Sequence, residues 1–181
     1  MSLTATLYTF EIDLADHDRQ VYETLFVRAA RHPSESEEFL WTRVLAFAAE
    51  FTEGLEFSRG GLSEPDEPAL VVRDLTGRVT AWIEVGLPEA ERLHRAMKAA
   101  PRVAVYAHRD PAPLLRRLAG EKIHRAEALE FYAVDQGLLA ALVPLLARRM
   151  TFALAITEGE WHVSIGSQTL VGMLTRVRDL T

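Results

Sequence analysis

The sequence predicts a mixed α/β protein, a central sheet with helices packed on it. An N-terminal β-hairpin and a C-terminal antiparallel meander complete it. Three patterns carry this expectation. Apolar residues alternate with polar ones near both ends of the chain, the period of a half-buried strand. A strand, a helix and a second, wholly apolar strand follow one another between residues 79 and 107, the order of a parallel pair with a right-handed crossover. Apolar stripes at helical spacing separate the strands, as in layered α/β architectures.

In the first strand, residues 3–13, Leu3, Ala5, Leu7, Thr9 and Glu11 alternate with Thr4, Thr6, Tyr8 and Phe10. Asp16-His17-Asp18 is a polar turn. Residues 19–31 fit a helix by the spacing of Val21, Leu25 and Ala29, but their β-branched and aromatic content and the short turn before them favour a strand. Pro33-Ser34 with Glu37 three residues later forms a capping box, which predicts a helix starting at Ser34. Leu40, Trp41, Val44, Leu45, Ala48 and Phe51 form its stripe, and Gly54 is expected just past its C-terminus. On this helix Glu38 lies at the edge of the stripe, half-shielded, and Glu35 points further out.

Leu55–Phe57 is a short strand and Arg59-Gly60-Gly61 a loop. Glu64 to Gly86 reads as an acidic turn fenced by Pro65 and Pro68, a strand at Leu70–Val72, a turn at Asp74–Gly77 and a strand at Val79–Val85. Val79, Ala81, Ile83 and Val85 face one way, and Thr80, Trp82 and Glu84 the other. Pro88 opens the next helix at its first position, with Glu89 and Glu91 in the first turn. Leu93, Ala96, Met97 and Ala100 are its buried side. His94 and Lys98 line the flank of that side, and Arg95 is directed to solvent. Val103–Ala107 is a central strand. Pro111–Ala119 is a short helix stopped by Gly120, Leu129–Val134 a strand, and Asp135 caps a last helix kinked at Pro144. The meander takes Phe152, Leu154 and Ile156, a turn at Glu158-Gly159, then Trp161, Val163 and Ile165, and a third strand over Gln168–Met173.

With 181 residues, 49% of them hydrophobic, the chain reads as a single domain, residues 1–181. Its net charge of −6 argues against a broad non-specific nucleic-acid surface but leaves room for a local basic rim, for which Arg28, Arg31, Arg59, Arg102 and Arg109 are candidates. The absence of cysteine excludes disulfide scaffolds, thiolate catalysis and thiolate metal sites. No secretory leader and no apolar run of membrane-spanning length are present, so a cytoplasmic monomer without membrane attachment is expected. Six scattered histidines without ligand spacing oppose a zinc enzyme. No nucleophile elbow or glycine-rich phosphate loop is present. Trp41 and Trp161 read as core, and His32 as a structural hydrogen-bonder.

The residues that bear on chemistry are acids. Glu84, at the end of its strand beside Trp82, could form a divalent-metal pair with Asp66 or Asp74; otherwise this is an acidic hairpin with a solvated face. Such hard oxygen ligands suit Mg²⁺ or Mn²⁺.

Ala30-Arg-His-Pro-Ser-Glu35, Arg43-x-Leu-Ala-Phe47, Trp82-Ile-Glu-Val-Gly-Leu-Pro88 and Arg149-Met-Thr151 together resemble the YaeQ family over most of the chain. The resemblance implies a restriction-endonuclease-like variant of the PD-(D/E)XK nuclease fold. In that superfamily a helix acid, a strand-end aspartate and an acid two residues before a lysine hold a divalent metal on nucleic acid. Carried over, these are Glu38, Asp66 (with Asp74 the other possibility) and Glu84. Gly86 stands where the lysine would be, so Arg95 by register, or Lys98, is expected to replace it. Phe39 and Ala69 replace an arginine and an acid common in the family. The implied activity is metal-dependent phosphodiester hydrolysis on nucleic acid. The alternative is a non-catalytic module that binds nucleic acid or a protein partner.

Overall fold

The computed structural model describes residues 4–58 and 66–177. It is a mixed α/β structure, and the ten strands and four α-helices of the described residues follow the expected order. The predicted loop at Arg59-Gly60-Gly61, and Glu64 and Pro65, lie outside the described residues. The chain divides into two compact units, Met1–Glu50 with Val134–Thr175, and Phe51–Ala133 with Arg176–Thr181. No described helix is long and apolar enough to cross a membrane.

The first unit is built on strands in the order β2-β1-β8-β9-β10. The hairpin of β1 (Thr6–Asp16) and β2 (Val21–Arg31) is antiparallel, as the short turn predicts. β8 (Arg149–Thr157), β9 (Glu160–Ile165) and β10 (Gln168–Val177) form the antiparallel meander. The parallel pairing of β1 with β8 joins the two ends of the chain. Tyr8, Phe10, Ile12 and Leu14 face inward from β1 and meet α1 (Glu37–Ala49). Trp41 is fully buried between Phe10 and Phe152, with ring centroids 5.8 and 5.5 Å away. Trp161 is equally buried, so both tryptophans are core.

The start of α1 differs from the capping-box reading. Ser36, not Ser34, is the N-cap, and its hydroxyl accepts from the Phe39 amide at 3.1 Å. Glu35 therefore precedes the helix and turns inward instead of out to solvent: it is 3% exposed and ion-paired to Arg43. The helix ends at Ala49, so Gly54 is not its terminator. Gly54 sits at φ +86°, where an added Cβ would lie 2.0 Å from the Arg73 carbonyl oxygen. The glycine is needed for this close approach of backbones.

Asp135 caps α4 (Gln136–Leu142) through the Leu138 amide, and Pro144 turns the chain into a 3₁₀ segment at Val143–Leu145. This helix lies so close to β10 that a Cβ on Gly172 would be 2.7 Å from Leu138 Cβ and 2.8 Å from Asp135 Cβ. Gly172→Ala is expected to destabilise by about 1–3 kcal/mol through overpacking, read as a lower urea midpoint at unchanged slope.

The second unit has the order β7-β6-β5-β4-β3. β3 (Leu55–Phe57), β4 (Leu70–Arg73) and β5 (Val79–Val85) are antiparallel neighbours, with a bulge at Val72/Arg73. β6 (Arg102–Ala107) runs parallel to both β5 and β7 (Glu130–Val134). Val103 to Ala107 are all buried, as their unbroken apolar run predicts. α2 (Ala90–Ala99) and α3 (Ala112–Leu118) complete the unit. Leu93, Met97, Val103, Val105, Leu114 and Phe131 form the centre of its core. α2 starts two residues later than the proline suggests, with Glu89 as its N-cap position.

Candidate functional site

The site is built where β5 ends and α2 returns over it. The alternation along β5 puts Ala81, Ile83 and Val85 on one face and Trp82 and Glu84 on the other. That second face is not solvated, contrary to the acidic-hairpin alternative: Glu84 is 3% exposed. Gly86 leaves the strand with its amide bonded to the Tyr106 carbonyl at 2.9 Å. Four residues later α2 begins, with Arg92 in its first turn.

Arg92 is the residue that reaches Glu84. Its Nε donates to Glu84 Oε1 at 2.8 Å, and Trp82 Nε1 donates to the same oxygen at 2.6 Å. Glu84 Oε2 has no partner among the described residues. Arg92 also donates to the Glu67 carbonyl. One turn on, Arg95 pairs with Asp66 at 2.8 Å, both side chains more than half exposed. Residues three apart on a helix are neighbours. Arg92 and Arg95 thus gather the Asp66–Glu67 segment and Glu84 along one side of α2.

Burial pushes the Glu84 carboxyl above its ordinary value. The Trp82 hydrogen bond, and the charge and hydrogen bond of Arg92, pull it partway back. A second ionic cluster in this unit is structural. Arg102 forks onto Glu130 at 2.7 and 3.2 Å, and Tyr132 donates to Glu130 at 2.8 Å. Burial and that hydrogen bond push the Tyr132 phenol up to about 12.

The other expected residues fall as follows. Asp74 ends β4 as a turn-former: its Oδ1 accepts from the Thr76 amide and hydroxyl and from the Arg78 amide. The Thr76 hydroxyl bond heads the causes that hold its carboxyl below the ordinary range. Its Oδ1 is thus committed to the turn. Lys98 is exposed, not turned towards a buried flank. It lines an open cleft of about 440 Å³ with Arg78, His124 and Arg125, a cleft to which neither Asp66 nor Glu84 contributes. Glu38 is half-buried in the first turn of α1, in the first unit. Of the expected basic rim, Arg31 donates to the Glu35 carbonyl and Arg102 is paired with Glu130, while Arg59 lies outside the described residues.

Arg92 is the residue that sequence reasoning misses. A signal for it exists: it stands four residues before the buried Ala96, at the edge of the apolar stripe, whereas Arg95 stands four before the exposed Ala99.

Whether these residues suit a divalent cation can be judged from their chemistry. The donors are all oxygen, and Glu84 Oε2 is open. Mg²⁺ needs only one or two carboxylates besides water and phosphate oxygens. Against this, the guanidinium already neutralises Oε1, and among the described residues no three His, Asp or Glu side chains are grouped to hold a metal. The fit is to a shared, one- or two-carboxylate site, not to a closed cage.

The fold and this acid–arginine cluster describe a mixed α/β protein with a buried carboxylate at the end of a strand that runs parallel to its central neighbour. The YaeQ protein family matches residues 1–173, and the chain belongs to it. The uncharacterised YaeQ of Salmonella typhi is 34% identical over 176 residues, 97% of each chain. That of Escherichia coli (strain K12) is 32% identical over the same share. The crystal structure of the YaeQ protein from Xanthomonas axonopodis pv. citri superposes with a TM-score of 0.85 at 32% identity, covering 96% of this chain and 98% of that one. The Pseudomonas syringae YaeQ structure gives 0.81 at 35% identity, covering 97% of each.

Proposed function

We propose that the protein is nuclease-like, a variant of the restriction-endonuclease-like PD-(D/E)XK type, and hydrolyses phosphodiester bonds of nucleic acid with Mg²⁺ or Mn²⁺. The observation that supports this is the state of Glu84: a buried strand-end carboxylate with one oxygen fixed by Arg92 and Trp82 and the other open. Glu84 and Asp66, both in the second unit, would hold the cation. When bound, the metal supplies a polarised phosphoryl oxygen and an acidified water. Arg92 holds the Glu84 carboxylate in one orientation. Arg95, exposed and paired only at the surface, can exchange Asp66 for a phosphate oxygen, which its planar fork suits. Neither arginine accepts a proton, because both stay charged; their part is binding and charge stabilisation.

A second reading is favoured by one specific contact. A guanidinium on Glu84 is what a site that has given up metal would keep, which points to a non-catalytic module binding nucleic acid or protein. Incubation with single- and double-stranded DNA and RNA and Mg²⁺ or Mn²⁺ separates the two. On the first reading wild-type protein cleaves, and Glu84→Gln loses activity by about 10²-fold or more while its circular dichroism remains that of the folded protein. Cleavage fully retained by Glu84→Gln would sink the site. Salt-sensitive binding without cleavage in any metal would establish the second reading.

A further inference from the structure

The first unit has an exposed aromatic that its packing does not explain. Phe26, on the edge strand β2, is 78% exposed. It stands on the outer face of the sheet, opposite the row that carries the core. The register across β2, β1 and β8 puts Arg28, Thr9 and Arg149 in one row. Phe26, Glu11 and Thr151 form the next row. Together they line an open cleft of about 490 Å³. The Arg28 and Arg149 side chains have no hydrogen bond or ion pair with any described residue. Elsewhere in the unit Arg19, Arg31 and Arg43 are engaged, and Arg148, beside Arg149 in the chain, is exposed.

We propose that this face binds single-stranded nucleic acid, with a base stacked on Phe26 and backbone phosphates on Arg28 and Arg149. Two unpaired guanidiniums on one face call for a ligand that brings its own negative charge. The arginines are two strand spacings apart, about 10 Å between backbones, within reach of neighbouring phosphates of one strand. A solvent-facing aromatic ring beside them offers what a nucleobase stacks on. Glu11, beside Phe26 in the same row, is an acceptor for the exocyclic amine of a base. A duplex hides the faces of its bases, so the strand must be single. The overall charge of −6 confines such binding to a local patch. This site lies in the first unit and does not depend on the chemistry of Glu84.

The test is fluorescence anisotropy with a short labelled oligonucleotide in EDTA, so that no metal-dependent reaction intervenes. Wild-type protein is expected to prefer single-stranded DNA or RNA to the matching duplex. Phe26→Ala should weaken binding by about 5- to 150-fold, the range for losing one base–aromatic stack. Arg28→Ala with Arg149→Ala should reduce the slope of log affinity against log salt by about 1.4, two phosphate contacts. Arg116→Ala, which removes an exposed arginine of α3 in the second unit, should bind as wild type, so that loss of a surface charge elsewhere does not account for the effect. All three change side chains at or near the surface, and circular dichroism checks that each variant folds. Binding within about twofold of wild type in Phe26→Ala, or equal affinity for duplex, overturns the proposal. So does a wild-type dimer in sedimentation that Phe26→Ala converts to monomer, which would make the patch a subunit interface.

Discussion

Replacing Arg43 by alanine is expected to cost about 3–5 kcal/mol of folding stability, a large part of the roughly 5–15 kcal/mol a domain has in hand. The reason is what it leaves behind. The Glu35 side chain is wholly buried and the Arg43 side chain is 7% exposed. The guanidinium grips both carboxylate oxygens, at 2.7 and 3.0 Å, and donates to the Ala30 carbonyl at 2.8 Å. Once it is gone, the His32 amide at 3.1 Å is the one donor left to the carboxylate among the described residues. A buried charge with a single amide partner is strongly disfavoured. Replacing both partners at once, Glu35→Leu with Arg43→Met, should recover most of the loss, because it removes the desolvated charges instead of orphaning one. Urea unfolding of the two variants near neutral pH is the measurement. A loss below about 1 kcal/mol for Arg43→Ala would mean that water reaches this pair, as at a surface bridge. The pair also fixes the turn between β2 and α1, since Arg31 donates to the Glu35 carbonyl. It therefore sets where α1, and with it Glu38, begins.

That turn also shows where local pattern stops being informative. Ser34 and Glu37 have the spacing of a capping box, and only the geometry selects Ser36 as the cap. The two-residue shift moves Glu35 from the first turn of the helix to the residue before its cap, and so from solvent to core. Alternation identifies β1, β5, β8 and β9, because each keeps an apolar face towards one layer. It places Glu84 opposite the aliphatic row correctly. It does not reveal that the row of Glu84 is covered as well, since covering depends on the chain that folds back over it. The parallel pairing of β1 with β8 is likewise invisible, because it joins residues about 140 positions apart. Arg92 is hidden for a related reason. Family register points to Arg95, the next arginine along the same helix, and only the close return of α2 onto β5 decides which of the two meets the acid.

Arg92→Ala should lower stability by about 3 kcal/mol near neutral pH, with a loss that shrinks in acid. The magnitude is at the lower end for a broken buried pair, because a quarter of the Arg92 side chain remains in water while Glu84 is 4% exposed. The pH dependence follows from the proton. Burial already holds the Glu84 carboxyl above its ordinary value, and Arg92 opposes that by charge and hydrogen bond. The folded protein therefore binds this proton more tightly than the unfolded chain does, and stability falls as pH rises from the unfolded value through the folded one. Without Arg92 the folded value rises further and the window of falling stability widens upward. Below the unfolded value Glu84 is protonated in both states, and only the lost packing and the bond to the Glu67 carbonyl remain to separate the variant from wild type. Urea midpoints of both proteins at about pH 4 and about pH 8 make the comparison, with the difference between proteins larger at the higher pH. Adding Glu84→Gln to Arg92→Ala should remove the pH dependence of that difference, because a neutral amide can still accept from Trp82 but has no charge to strand. A deficit that is the same at both pH values would show that Arg92 acts through packing alone. The acid at the end of β5 would then be open to a cation without displacing a partner that matters to the fold.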